Sequence, residues 1–191
     1  MYYPQRKSIR LRGYDYSQGG VYFCTVCVHR IHRHKELFAR IEEGQARLNR
    51  FGRVVERCWQ ETPLHRSTVE LDGFVVMPNH FHGLLLIDAP SQTAEFHACF
   101  GPQLRQSLSS VIGAFKSDVT KEIGRLRREK TVVWQPRFHD HIVRNDQELL
   151  AIRRYIENNP ANWVNDRCHP QHPDFERVWQ NLSPDPQNFI S

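Results

Sequence analysis

The chain has no long apolar run; stretches such as residues 84–87 are far too short to cross a bilayer. Its start, Met1-Tyr2-Tyr3-Pro4-Gln5-Arg6-Lys7, lacks the apolar core of a cleaved secretion signal. The expectation is a cytoplasmic protein with no membrane partner. Cysteines are few and odd in number, five in 191 residues, which argues against a disulfide framework. Cys24 and Cys27 have a zinc-ligand spacing, but no second such pair follows. They sit in a β-branched and aromatic run, residues 21–28, that reads as a strand. There, side chains i and i+3 point to opposite faces, so the two sulfurs cannot share one ion. Ordinary strand packing is therefore favoured over a structural zinc using His29, His32 or His34. No internal repeat is present.

Acidic residues are outnumbered, 21 against 26 Lys and Arg, for a net charge of +5. The excess is concentrated in residues 1–40 and 104–130, while the stretch from Asn165 onward is mildly acidic. Two basic segments on a small protein suit a polyanionic partner, with nucleic acid the first candidate. The length fits one domain with a tail. Residues 1–164 read as the domain, including a basic N-terminal arm. Residues 165–191, rich in Pro, Asn, Gln and Asp, read as an extended tail.

Hydrophobic spacing places strands at 21–29, 70–77 and 80–87, the last two joined by the Pro78-Asn79 turn. A cationic loop covers residues 29–35. A helix is expected from Ala46 to about Leu64, on Leu48, Phe51, Val54, Val55 and Trp59. A longer one spans about 103–128, with Leu108, Val111, Ile112, Phe115, Val119 and Ile123 on one stripe. A fourth strand falls within 132–143. A last helix begins near Gln147, capped by Asp146, and stops at Asn158-Asn159-Pro160. The order β-α-β-β-α-β-α is α+β: a ferredoxin-like, RRM-like antiparallel sheet with helices on one face and an extended C-terminal tail.

His80-Phe81-His82 is the unusual element. Two imidazoles two residues apart on one strand face stand where Val or Leu would be expected. A shared metal ion gives them a reason to be there. On the last helix, Tyr155 and Asn159 are four residues apart and share a face if the helical turn persists. Asn159 precedes proline, so Asn158 competes for the same role. An amide oxygen would complete a three-ligand shell with open positions, and the phenol is a potential nucleophile.

His80-Phe81-His82 resembles the histidine-hydrophobic-histidine signature of HUH single-strand nucleases. Tyr155-Ile156-Glu157-Asn158-Asn159-Pro160 with Trp163 resembles the nucleophile segment of REP-associated tyrosine transposases, relatives of single-tyrosine insertion-sequence transposases. Met77-Pro78-Asn79, Phe115-Lys116-Ser117 and Trp134-Gln135 through Asp140-His141-Ile142-Val143-Arg144 extend the likeness over roughly residues 10–165. Residues 92–100 and those beyond about 165 fall outside it. The resemblance implies cleavage of single-stranded DNA beside a hairpin, with Tyr155 attacking the scissile phosphorus. It implies a divalent metal, Mg²⁺ or Mn²⁺, on His80, His82 and Asn159, and a monomer or homodimer.

Phosphate contacts are expected from Arg6, Lys7, Arg10 and Arg12 of the arm, and from Arg30, Arg33 and Lys35 of the loop. Lys116, Arg153 and Arg154 join them. Tyr2, Tyr3, Tyr14, Tyr16 or Trp134 are candidate stacking platforms for bases. Two rival readings remain at this point. One is a non-catalytic RRM-like nucleic-acid-binding protein; the other is a metal-dependent hydrolase that activates water, with Tyr155 only structural.

Overall fold

A computed structural model describes residues 19–88 and 107–176. Four strands form one antiparallel sheet in the order β4-β5-β1-β6: β1 Gly20–Cys27, β4 Val69–Val76, β5 His80–Ile87 and β6 His139–Val143. Apart from a separate hairpin of β2 Ala39–Glu42 and β3 Gln45–Leu48, this is the expected ferredoxin-like topology. β5 is flanked on both sides, so its polar residues lie in the middle of the sheet.

The period of two sorts β5 into two faces. Phe81, Leu85 and Ile87 join Tyr22, Cys24 and Val26 of β1 in a core with two helices, α1 Arg50–Gln60 and α3 Leu108–Arg127. Trp59 of α1 lies so close to β5 that a Cβ on Gly83 would fall 2.6 Å from its indole. Only glycine admits that approach. The opposite face carries His80, His82 and Leu84. It is covered by α4, Asp146–Asn158, whose Ile152 and Ile156 bury Leu84 and Phe23. Helices α1 and α3 thus share one face as expected, while the terminal helix crosses to the other. That crossing brings Tyr155 to the histidines.

Three local details depart from the sequence reading. Residues 39–48 form a hairpin, β2 Ala39–Glu42 and β3 Gln45–Leu48, turning through Glu43 and Gly44 with φ of 51° and 72°. Two positive φ values suit a two-residue hairpin loop. The helix therefore starts four residues later than expected, where Asn49 accepts from the backbone N–H groups of Phe51 and Gly52. A cap that satisfies two orphan donors outweighs the chance helical spacing of Leu48 with Phe51 and Val55. A short helix, α2 Thr62–His65, follows α1. At the last helix, Asn145 rather than Asp146 is the cap, accepting from Glu148 N–H at 2.9 Å. Residues 165–176, expected to be extended, run instead through short turns that bury Asp166, Cys168 and Phe175. Their Pro- and Asn-rich composition hides three well-spaced anchors.

Candidate active site

The hydrogen bond on the outer nitrogen of His80 fixes what its inner one offers. Asn79 Nδ2 donates to the carbonyls of Arg33 and Cys168, each at 2.8 Å. This sets the amide's orientation, so Asn79 Oδ1 accepts from His80 Nδ1 at 3.0 Å. His80 therefore carries its proton on Nδ1 and a lone pair on Nε2. His82 Nδ1 lies 2.9 Å from Thr25 Oγ1, its register partner on β1.

The two Nε2 atoms face each other at 2.9 Å. Two lone pairs so close repel unless a cation or proton lies between them. An ion about 2.1 Å from each of two adjacent octahedral ligands would set them about 3.0 Å apart, so the spacing suits a divalent metal. Burial pushes both imidazoles below their ordinary pKa of 6.5. Asp166 opposes the shift at His80, and the neighbouring His80 and His139 deepen it at His82. Neutral imidazole is the ligating form.

Tyr155 arrives from α4 with its Oη 3.2 Å from His82 Nε2. Its ring meets Phe23 edge-on at 5.9 Å. Burial, reinforced by the Asp166 charge, raises the phenol above its ordinary pKa of 10. One turn later, Asn159 keeps helical backbone despite the following proline, with φ −57° and ψ −43°. Its side chain is buried, whereas Asn158 is exposed and donates to Arg154 O at 2.9 Å. Asn159 is thus the one turned inward, toward Asp166.

Asp166 is the residue that the sequence did not single out. Its Oδ2 accepts from Asn159 Nδ2 at 3.3 Å and lies 3.8 Å from His80 Nε2, while Oδ1 accepts from Cys168 N–H at 2.6 Å. The ligand atoms of His80, His82 and Asp166 all lie within 4.8 Å of one another, making a buried group able to hold a metal ion. Asn159 Oδ1 is buried beside it with no hydrogen-bond partner. Two imidazole nitrogens, a carboxylate and an amide oxygen together make a ligand set of the kind that divalent cations take. The residues fit a divalent ion. Nothing in the sequence marked Asp166, because six residues of turn and short helix separate it from Asn159 without any periodic relation.

The expected phosphate contacts divide into groups. Arg6, Lys7, Arg10 and Arg12 lie outside the described residues, as do Tyr2, Tyr3, Tyr14 and Tyr16. Arg30, Lys35 and Arg154 are exposed. Arg33 pairs with Glu176 at 3.1 Å. Lys116 Nζ donates to the carbonyls of Gln135, Pro136 and Arg137, at 2.5, 3.2 and 3.3 Å, and burial lowers its pKa to about 8. It clamps the loop that leads into β6. Arg153 forks onto Asp72, with Nη2 2.6 Å from Oδ2 and Nε 3.0 Å from the same oxygen. Trp134 is buried against Phe38 and Phe115, a core residue and not a platform. Among the described residues, no helix is long and apolar enough to cross a membrane.

No protein-family model matches the chain. An uncharacterized protein of Haemophilus influenzae is 36% identical over 172 residues, which cover 86% of this chain and 93% of that protein. The solved structure of a REP-associated tyrosine transposase bound to a REP hairpin shares the fold, with a TM-score of 0.56 and 24% identity. The match covers 92% of this chain and 88% of that one.

Proposed function

The chain belongs to one family with the uncharacterized Haemophilus influenzae protein, and from its site we propose a metal-dependent enzyme that nicks and rejoins single-stranded DNA at hairpins. The observation that carries this reading is the 3.2 Å approach of Tyr155 Oη to His82 Nε2, beside a four-acceptor cluster. A nucleophile and a metal-ligand set contributed by elements 73 residues apart meet at one point. The tyrosine transposase that shares the fold is bound to a REP hairpin, which supports hairpin DNA as the partner.

In the proposed reaction, Tyr155 Oη attacks the scissile phosphorus and the P–O3′ bond breaks. The product is a 5′-phosphotyrosine and a free 3′-hydroxyl, and the proton lost by the phenol is balanced by the one gained at O3′. The ester keeps the phosphodiester's bond energy for rejoining, so no nucleotide triphosphate is consumed. A divalent cation held by His80, His82, Asn159 and Asp166 would supply Lewis-acid stabilisation of the charge that develops on the phosphoryl oxygens. Mixed nitrogen and oxygen ligands suit Mn²⁺ somewhat better than Mg²⁺. Thr25 and Asn79 hold the rings with Nε2 directed inward.

The binding-module reading needs a sheet face open to bases. Here α4 covers the His80–Leu84 face and α1 with α3 the other. Incubation with a hairpin oligonucleotide and Mn²⁺ separates the readings. The nuclease should give a denaturant-stable protein–DNA adduct that Tyr155→Phe abolishes. Cut DNA without an adduct would indicate a hydrolase, and intact DNA a binding protein.

A further inference from the structure

The loop after β1 and the end of α3 form one surface. His29 N–H donates to the Val133 carbonyl at 2.7 Å, and His32 Nε2 donates to the Val132 carbonyl at 2.9 Å. Burial lowers the His32 pKa; the bond to Val132 opposes that, and the charges of Lys35, Arg127 and His29 lower it further. The cations of the two stretches therefore act in one field. Residues 29–35 and 125–133 hold three and four Lys or Arg, against a single acid, Glu129, which Arg127 takes up at 2.8 Å. Arg33 and Arg125 are likewise paired, with Glu176 and Glu122. Arg30, Lys35, Arg128 and Lys130 are exposed, and no carboxylate among the described residues pairs with them.

Arg128 is the most informative of the four. It ends α3 with φ 57°, the left-handed position that glycine usually fills. An arginine there strains the backbone, yet among the described residues its guanidinium has no partner. Strain kept without an internal contact points to an external ligand. The surface also adjoins the site. The Asn79 amide that accepts from His80 Nδ1 at 3.0 Å donates to the Arg33 carbonyl at 2.8 Å. The exposed apolar residues are the aliphatic Ile31, Leu126 and Val132, and neither stretch contains Phe, Tyr or Trp. Unpaired bases call for aromatic platforms. A duplex keeps its bases inside and presents phosphates.

We infer that Arg30, Lys35, Arg128 and Lys130 carry the paired stem of the hairpin by its phosphates, while the strand to be cut lies at Tyr155. The inference rests on the single-strand nuclease reading and adds a duplex-binding surface beside its site. Contacts of this kind supply affinity and orientation without reading sequence.

The test uses the full chain, a fluorescent blunt-ended hairpin stem and an unpaired strand of the same length, with anisotropy across a salt series. For the stem, Arg30→Ala with Lys35→Ala, and Arg128→Ala with Lys130→Ala, should each reduce the slope of log K against log salt by about 2. The unpaired strand should keep the parent slope. Arg53→Ala with Arg57→Ala removes as much charge from α1 and should bind the stem like the parent. Arg128→Gly should raise Tm, because glycine accepts the left-handed backbone, and still reduce the stem slope by about 1.

A parent slope for the stem in either double variant of the surface, or an equal loss on the unpaired strand, would overturn the proposal. Equal loss from the α1 variant would do the same by making the effect one of net charge. So would an Arg128→Gly protein that gains stability and keeps the parent slope. Adduct formation with Mn²⁺ is scored in parallel. If the parent forms no adduct while both double variants lose stem slope, the nuclease reading falls and the duplex surface stands. A normal adduct with parent slopes in the variants gives the reverse.

Discussion

Replacing Asn79 with alanine should loosen three parts of the molecule at once. Its amide bonds the Arg33 carbonyl, the Cys168 carbonyl and the His80 ring, at 2.8, 2.8 and 3.0 Å. The residue is 1% exposed, so water does not readily replace what is lost. At roughly 1 kcal/mol net for each hydrogen bond, the change costs about 3 kcal/mol. For a chain of this size that corresponds to a fall in Tm of roughly 6–12 °C. The same truncation frees His80 Nδ1 and with it the ring orientation. Loss of such an outer partner typically weakens metal binding by roughly 10–100-fold. Circular dichroism melting without metal measures the first effect. Calorimetric titration with Mn²⁺, well below both melting points, measures the second. Thr25→Val is the matched control: it removes one bond from His82 and leaves the 168 segment attached. It should cost about 1 kcal/mol in stability yet weaken Mn²⁺ binding comparably. If Asn79→Ala binds Mn²⁺ as tightly as the parent, the argument that the outer bonds prepare the two Nε2 lone pairs is wrong.

Further outcomes follow from other contacts. Burial holds His80 and His82 below 6.5, so the unfolded chain takes up more protons on acidification. Their contribution to stability is complete above about pH 6.5 and is lost as pH falls toward the folded-state values, so Tm should drop between pH 7.5 and 5. A flat profile would contradict their burial. Lys116→Met removes the clamp on three carbonyls and should lower Tm while leaving the salt slope of DNA binding unchanged. A reduced slope would instead make Lys116 a phosphate contact. Arg153→Ala and Asp72→Ala should slow adduct formation equally, because both release the helix bearing Tyr155, while hardly changing stability, since the pair is exposed to solvent. Slowing by Arg153→Ala alone would mean that the guanidinium touches DNA.

The sequence alone determined whatever follows from short-range periodicity. Strand β5 runs from His80 to Ile87 as expected, because a period of two sends both imidazoles to one face regardless of what covers it. The long amphipathic helix and the Tyr155–Asn159 spacing were legible for the same reason. The hairpin at residues 39–48 was not. Its turn uses Glu43-Gly44 instead of a stronger signal, and Leu48 also fits the helical spacing of Phe51 and Val55. Only the tertiary structure decided that α4 crosses to the histidine face, since that depends on which side of the sheet offers Leu84 and Phe23 to Ile152 and Ile156. It alone buried Asn159 and left Asn158 exposed, through a turn that stays helical up to proline. It alone brought in Asp166, because a carboxylate delivered by irregular backbone obeys no repeat and becomes a neighbour of His80 only when Cys168 and Phe175 are buried. Residue types set the available chemistry; the long-range packing of two faces determined which groups meet.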